Sequence, residues 1–290
     1  MLARMTSPNV IAVGDVMVGV HAPAATTGGH VVGQIQLHAG GSAPNAAAWA
    51  AAAGARAGVV GRVGDDFAGR ALRAEVEAGG VEARLAVDPD LPTGCVLRLG
   101  ERTVGERGAN ARLDPSDVPS TLVADAVLVS GYVLLHDDSE AAALTALERA
   151  RSAWIAVDGA SARLLERYGR ERFLDATGSA TVLLVNADEA SALTGEDPQR
   201  AVRVLASHYR LVCVKRGSGG AVTCFDGTLL WTDAPRITLV DDSGAGDAFA
   251  GALLAALAGG RPIEGALEAA TRAGAAAASS HRRWPSRPTM

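Results

Sequence analysis

Lysine is almost missing from this sequence. Of 27 basic residues among 290, one is a lysine, Lys215, and the rest are arginines. A Walker-type phosphate loop needs a lysine in a Gly-Lys-Ser/Thr context, so that the ammonium reaches the terminal phosphates. Lys215 stands instead in Val214-Lys215-Arg216-Gly217, which excludes that chemistry. Cysteine is scarce as well. Cys95, Cys213 and Cys224 are an odd set without Cys-x-x-Cys or paired Cys/His spacing, which excludes a disulfide frame and a structural zinc and points to the cytoplasm. No apolar run approaches the ~20 residues of a bilayer span, and Pro8 falls where a secretory signal would carry its apolar segment, so no membrane association is expected. A net charge of −5 lacks the basic excess of a nucleic-acid binder.

What remains describes an acidic globule, 48 % hydrophobic and 20 % charged, long enough for one large α/β domain with a minor appendage. Apolar, β-rich runs at Val10 to Val18, Gly58 to Val63, Ala126 to Ser130, Trp154 to Asp158, Thr181 to Asn186, Leu211 to Lys215 and Ile237 to Val240 read as buried strands. Helical patterns lie between most of them. Asp66 to Ala78 places Phe67, Ala71, Leu72 and Val76 on one face, and Ser139 to Ala150 begins with a capping serine. Strand and helix in alternation predict a mostly parallel sheet covered by helices on both faces. Val31 to His38 and Thr93 to Glu106 break the alternation and predict a few strands outside the main sheet, a small lid.

The segment richest in chemistry runs from Ile237 to Leu254 and contains Asp241-Asp242-Ser243-Gly244-Ala245-Gly246-Asp247. A glycine-rich turn entering a helix presents backbone N–H groups at the positive end of the helix dipole, a ready anion site. A dinucleotide fingerprint fails here, because Phe249 stands at its third glycine and Asp247 would repel a pyrophosphate. A carboxylate beside an anion site is what a kinase needs, with Asp247 taking the proton of an attacking hydroxyl while amides receive the charge of the phosphoryl group. The bland alternative is a helix cap. A second segment, Ala39-Gly40-Gly41-Ser42-Ala43-Pro44-Asn45, is a diglycine turn entering an alanine-rich helix; its glycines let a ligand approach the backbone, and Asn45 offers a donor and an acceptor to paired hydroxyls.

These two segments, in this order and joined by Gly64-Asp65-Asp66, resemble the signatures of the ribokinase or PfkB family of carbohydrate kinases over nearly the whole chain. The resemblance implies one ribokinase-like domain over residues 1–290: a three-layer αβα sandwich, with lid segments at about 15–40 and 92–110, that moves the γ-phosphate of ATP to a sugar hydroxyl. It implies Asp247 as base and the N–H groups of Gly244, Ala245 and Gly246 as anion hole. Asn186-Ala187-Asp188-Glu189 resembles the family's Asn-x-x-Glu, whose members organise Mg²⁺ and phosphates through water. Lys215, Gly217 and Gly220 resemble the strand and turn lining the nucleotide site. Asp15, Gly40, Gly41 and Asn45 fall on the acceptor side, with Tyr132 as a candidate wall of that pocket. The alternative for Asn186 and Glu189 is a capped helix start, and for Lys215 a solvated surface charge.

Several positions depart from the pattern. Gly19 stands where the family carries a sugar-binding aspartate, with Asp15 four residues earlier on the same strand face by the period-two rule. Asp242 replaces a threonine. The family's K⁺ site lies near Asp241 and a C-terminal loop, but Arg282 occupies a glycine position there, so K⁺ dependence is not expected and Arg282 or Arg283 would neutralise Asp241 or Asp242. The lid segments Val16 to Asn45 and Leu91 to Leu113 hold no Phe, Tyr or Trp, which favours a sugar over a nucleoside, since base stacking is worth ~1–3 kcal/mol per base. Arg98, Arg102, Arg107 and Arg112 would suit a phosphate or carboxylate on the acceptor. His38 and His136 read as surface or loop residues, too isolated for a metal. Exposed lid edges suggest a homodimer through the lid, and the expected small-molecule partners are a sugar and a nucleotide.

Overall fold

The computed structural model describes residues 7–22, 34–99, 102–280 and 284–285. Its strands, in chain order, are β1 (Asn9–Val13), β2 (Met17–Ala22), β3 (Gln36–Gly40), β4 (Arg56–Gly64), β5 (Val81–Asp88), β6 (Gly94–Leu99), β7 (Arg102–Glu106) and β8 (Leu122–Val123). They continue with β9 (Ala126–Val129), β10 (Ala150–Arg151), β11 (Trp154–Asp158), β12 (Val182–Asn186), β13 (Leu211–Lys215), β14 (Ala221–Phe225) and β15 (Thr228–Thr232). The α-helices are α1 (Ser42–Ala52), α2 (Phe67–Ala78), α3 (Gly131–Leu134), α4 (Glu140–Arg149), α5 (Ala162–Tyr168), α6 (Arg170–Ala176), α7 (Ala187–Thr194), α8 (Pro198–Leu205), α9 (Ala245–Ala258) and α10 (Ile263–Ala278).

Strand residues alternate between two buried clusters. Val10, Ala12, Ala126, Leu128, Val182 and Leu184 face the cluster built with α1, α2, α9 and α10, whereas Ile11, Val13, Val127, Val129, Leu183 and Val185 face the cluster built with α3 to α8. This period-two alternation, apolar on both sides, is why the runs read as continuous hydrophobic sequence. The result is the predicted three-layer αβα sandwich. Its nine-stranded sheet has the order β15-β14-β13-β12-β11-β9-β1-β4-β5, parallel apart from the antiparallel pairs β13–β14 and β14–β15. A four-stranded sheet, β3-β2-β6-β7, forms the lid; β2–β6 is its parallel pair. Residues 31–33 of the expected first lid strand lie outside the described residues.

Four local expectations are corrected. Ile237 to Val240 is no strand: Ile237, Leu239 and Val240 are exposed, and the Val240 and Asp241 amides donate to the Ala278 carbonyl at the end of α10 (2.9 and 3.2 Å). The run Val10 to Val18 breaks at Gly14, so Asp15 sits in the β1–β2 connection and shares no strand face with Gly19. Phe67, expected on the buried face of α2, is 81 % exposed, because that face closes on Leu72 and Val76 one turn later. Ser139 stands at the N-cap of α4, yet its hydroxyl donates to the Val133 carbonyl and caps nothing.

The alanine-rich helices have a packing role. A Cβ at Gly251 in α9 would lie 2.1 Å from the Ala46 carbonyl oxygen, so α1 and α9 touch backbone to backbone. Side chains of one carbon permit that approach, and it sets the first turns of the two helices side by side.

Candidate active site

Those two helix mouths open on one cleft of about 1260 Å³ beneath the lid. Gly244 caps α9 in the left-handed conformation (φ 80°), which places Asp247 in the first turn. The carboxylate is partly buried on the cleft floor, and Asn45, in the first turn of α1, donates Nδ2 to its Oδ2 at 2.8 Å. Burial pushes the Asp247 carboxyl up to about 7; the Asn45 hydrogen bond, the Lys215 charge and Ser42 oppose that rise, and the Asp158 carboxylate adds to it. A carboxyl poised there is half ionised at neutral pH and able to accept a proton. First-turn N–H groups of a helix have no intrahelical partner. The Ala245 amide nevertheless turns back on the Asp242 carbonyl (3.2 Å), which leaves the Gly244 and Gly246 amides as the better anion donors of the expected three.

Lys215 extends from the end of β13 to this same point, where a Cβ on Gly246 would lie 3.2 Å from its Nζ. The sole lysine of the chain thus stands at the mouth of α9 inside the cleft, and the surface-charge alternative is set aside. Asn186 and Glu189 do form a capping box at the start of α7: Asn186 Oδ1 accepts from the Glu189 amide (2.9 Å) and Glu189 Oε2 from the Asn186 amide (2.8 Å). Both also line the cleft, and burial raises the Glu189 carboxyl above the usual range. Gly217 and Gly220 line the cleft as well; Gly220 has φ 74° and passes so close to the next segment that a Cβ would meet the Thr232 carbonyl oxygen at 1.9 Å. Among the described residues no three His, Cys, Asp or Glu side chains cluster as a metal cage. The donor set of Glu189 and Asn186, one carboxylate and one amide, fits a Mg²⁺ that keeps its waters and arrives on phosphates.

The cleft is lined as well by Asp15, Gly40, Gly41, Asn45 and Tyr132, the residues expected on the acceptor side. Gly41 has φ 100°, and a Cβ there would lie 2.0 Å from the Asp15 carbonyl oxygen, so this glycine is demanded by the backbone. Asp15 is buried and held in a fork by Arg107 (Nη2–Oδ1 2.9 Å, Nε–Oδ2 3.1 Å), and Arg107 also reaches Asp138 at 2.6 Å. Tyr132 lines the cleft; burial pushes its phenol up to about 12, so the hydroxyl stays protonated. His38 and His136, assigned above to surface or loops, both line the cleft. The ring of His38 packs on Gly19, its cross-strand partner, so closely that a Cβ there would lie 1.9 Å from the imidazole Cε1. The missing carboxylate at position 19 has therefore given its place to an imidazole.

Asp241, buried beside the cleft-lining Asp242 and Ser243, is tied to the lid. Its Oδ1 accepts from Arg98 Nη1 (2.6 Å) and from the Ser243 amide (3.0 Å), and Arg98 also bonds the Ser243 hydroxyl. Asp242 is exposed, with Arg98 Nη2 4.0 Å away. An arginine of the lid, Arg98, thus stands beside Asp241; Arg282 and Arg283, expected there, lie outside the described residues.

The pfkB family carbohydrate kinase model matches residues 7–290. The 2-dehydro-3-deoxygluconokinase of Thermoproteus tenax is 31 % identical over 261 residues, covering 84 % of this chain and 80 % of that protein. The chain belongs to the pfkB family of carbohydrate kinases. It is an ATP-dependent phosphotransferase with a sugar or sugar derivative as alcohol acceptor. The aminoimidazole riboside kinase of Salmonella typhimurium is 30 % identical over 238 residues, covering 74 % of this chain and 72 % of that one. In fold, a probable sugar kinase from Rhizobium etli superposes with a TM-score of 0.87 at 24 % identity, covering 97 % and 96 % of the two chains.

Asp158, Ser42 and Trp284 join the site without having been marked as candidates by any motif in the sequence. Asp158 is buried at the end of β11, where it accepts from the Gly131 and Ala160 amides (2.9 and 3.1 Å) and the Ser42 hydroxyl (3.1 Å). A charged residue ending an apolar strand and followed by Gly159 was the available signal, since parallel strands end at the ligand crevice. Nothing local marks Trp284, whose indole meets Asn45 across the whole length of the chain.

Proposed function

We propose that this kinase phosphorylates a neutral, hydroxyl-rich sugar, working as a single domain whose lid covers the acceptor. ATP occupies the side lined by Asn186, Lys215, Gly217 and Gly220, with its Mg²⁺ held through water by Asn186 and Glu189; the metal supplies charge neutralisation of the phosphates. The acceptor occupies the side lined by Gly40, Gly41, Asn45, Tyr132 and His38. Asp247 removes the proton of the attacking hydroxyl, and the Gly244 and Gly246 amides with Lys215 receive the negative charge of the phosphoryl group in flight. The single observation that carries this reading is the placement of the Asp247 carboxylate in the first turn of α9, lining the cleft with Asn45 Nδ2 at 2.8 Å.

The neutral acceptor follows from the arginines. Arg98 is matched by Asp241 and Arg107 by Asp15 and Asp138, while Arg112 pairs with Asp88 and Asp90, so these forks are spent on carboxylates of the protein itself; Arg102 is exposed and is not among the residues lining the cleft. Tyr132 and Phe249 are the Phe, Tyr or Trp residues lining the cleft among those described, and neither belongs to the lid, which supports sugar over nucleoside. Asp15, with both oxygens on Arg107, supports the acceptor wall without gripping a hydroxyl. The arrangement suits a cytoplasmic enzyme, and the exposed Leu37 and Val104 on lid strands suit a homodimer through the lid. A coupled ADP-release screen over neutral pentoses and hexoses, sugar acids, phosphosugars and nucleosides tests the reading. Highest kcat/KM with a neutral sugar is expected; highest kcat/KM with an acidic sugar or a nucleoside overturns it.

A further inference from the structure

Asn45 stands between Asp247 and the far end of the chain. Its Nδ2 donates to Asp247 Oδ2 at 2.8 Å, and its Oδ1 accepts from Trp284 Nε1 at 3.0 Å, a contact spanning 239 residues. An indole N–H can only donate, whereas a carboxamide has one accepting and one donating end. With the indole in place the amide has a single satisfied orientation: carbonyl to Trp284, NH₂ to the carboxylate. Without it, the flipped amide turns its carbonyl toward Asp247, which favours the protonated carboxyl and takes the base out of service. The indole is itself held. A Cβ on Gly79, the residue capping α2, would lie 2.9 Å from its Cζ3, and the ring packs on the apolar cluster shared by α1 and α9.

We propose that Trp284 is a positioning residue for phosphoryl transfer, fixing the Asn45 amide and through it the Asp247 carboxylate. The inference rests on Asp247 being the base. It gives the C-terminal segment a part in the chemistry that the motifs at Gly40 to Asn45 and Asp241 to Asp247 do not announce. A tryptophan is suited to the role because its donor sits on a rigid, bulky frame with no accepting atom to mislead the amide.

Trp284→Phe removes the N–H and keeps an aromatic ring. Expected is a roughly tenfold loss of kcat with the KM for ATP within about twofold of wild type, the size of one lost hydrogen bond felt at the base. In an Asn45→Ala background the same substitution is expected to cost less than about twofold, because the amide it orients is gone. In protein labelled with ¹⁵N-tryptophan, Asn45→Ala is expected to move one of four indole resonances, the one absent from Trp284→Phe; this reports the contact even where a variant is poorly active. Wild-type kcat in Trp284→Phe beside an inactive Asp247→Asn overturns the positioning role and leaves the base intact. An equal loss in both Asn45 backgrounds, or an indole resonance indifferent to Asn45→Ala, also overturns it. Turnover retained by Asp247→Asn removes the base and this inference together.

Discussion

Replacing Asp247 with asparagine should cripple the enzyme and stabilise the protein, and the second effect depends on pH in a direction that the structure fixes. The carboxyl titrates near 3.8 when unperturbed and is raised to about 7 by burial in the fold. Between those values the folded chain holds a proton that the unfolded chain has released, so stability falls as pH rises from about 4 to about 7 and the loss is complete above that. Raising a carboxyl from its ordinary range to about 7 corresponds to at most about 4 kcal/mol, and water in the open cleft screens it to roughly 1–2 kcal/mol. Asparagine carries no such liability. The melting temperature of Asp247→Asn should therefore exceed wild type by roughly 3 °C at pH 8, and by clearly less at pH 5. In the same preparations kcat should fall about 10³-fold or more, since a positioned base and a charge beside the transferring group are both lost. Wild-type kcat/KM should show an acid limb near pH 7, the range in which the free carboxyl titrates. Scanning calorimetry at both pH values and a coupled ADP assay measure these effects. A melting gap that shrinks as pH rises, or turnover within about tenfold of wild type, refutes the assignment of this carboxyl.

Three further outcomes follow from neighbouring residues. Because Arg98 already donates to Asp241 at 2.6 Å, exchanging K⁺ for Na⁺ should change kcat by less than about twofold, whereas Arg98→Gln should acquire K⁺ dependence in the same assay. Lys215→Met removes a cation that holds the Asp247 carboxyl down, so the acid limb of kcat/KM should move to higher pH and the KM for ATP should rise. Gly41→Ala forces a Cβ to 2.0 Å from the Asp15 carbonyl oxygen at φ 100° and should cost about 3 kcal/mol or more, while Gly40→Ala, whose nearest contact is 3.5 Å, should melt close to wild type.

The fold was legible wherever the burial pattern was uniform. Runs such as Leu211 to Lys215 are apolar on both faces, the pattern of a strand covered on both sides. The pattern misled where an apolar run borders the cleft, as at Ile237 to Val240: its backbone bonds go to the end of α10, and the cleft leaves the side chains without a cover. The hairpin β14–β15 went unread although Asp226-Gly227, both at positive φ, is the two-residue turn that such hairpins favour. Its strands are short, and their alternation is blurred by Thr223 and Cys224.

The site divides in the same way, by distance along the chain. Asp247, Gly244 and Gly246 sit in one motif whose geometry follows from a helix start, so local chemistry was enough to name them. Their partners are supplied by packing. Asn45 reaches Asp247 because the closeness of α1 and α9 depends on Gly251 and the surrounding alanines, and no reading of residues 39–45 alone contains that fact. Arg98 reaches Asp241 because β6 pairs with β2 in the lid, which also brings His21 to 3.8 Å from the same carboxylate. The departures at Gly19 and Asp242, taken one by one, read as lost contacts. Once the lid is folded over the cleft, an imidazole stands at the first and a guanidinium beside the second, so the charge and hydrogen-bonding groups of the cleft were exchanged between elements and not removed.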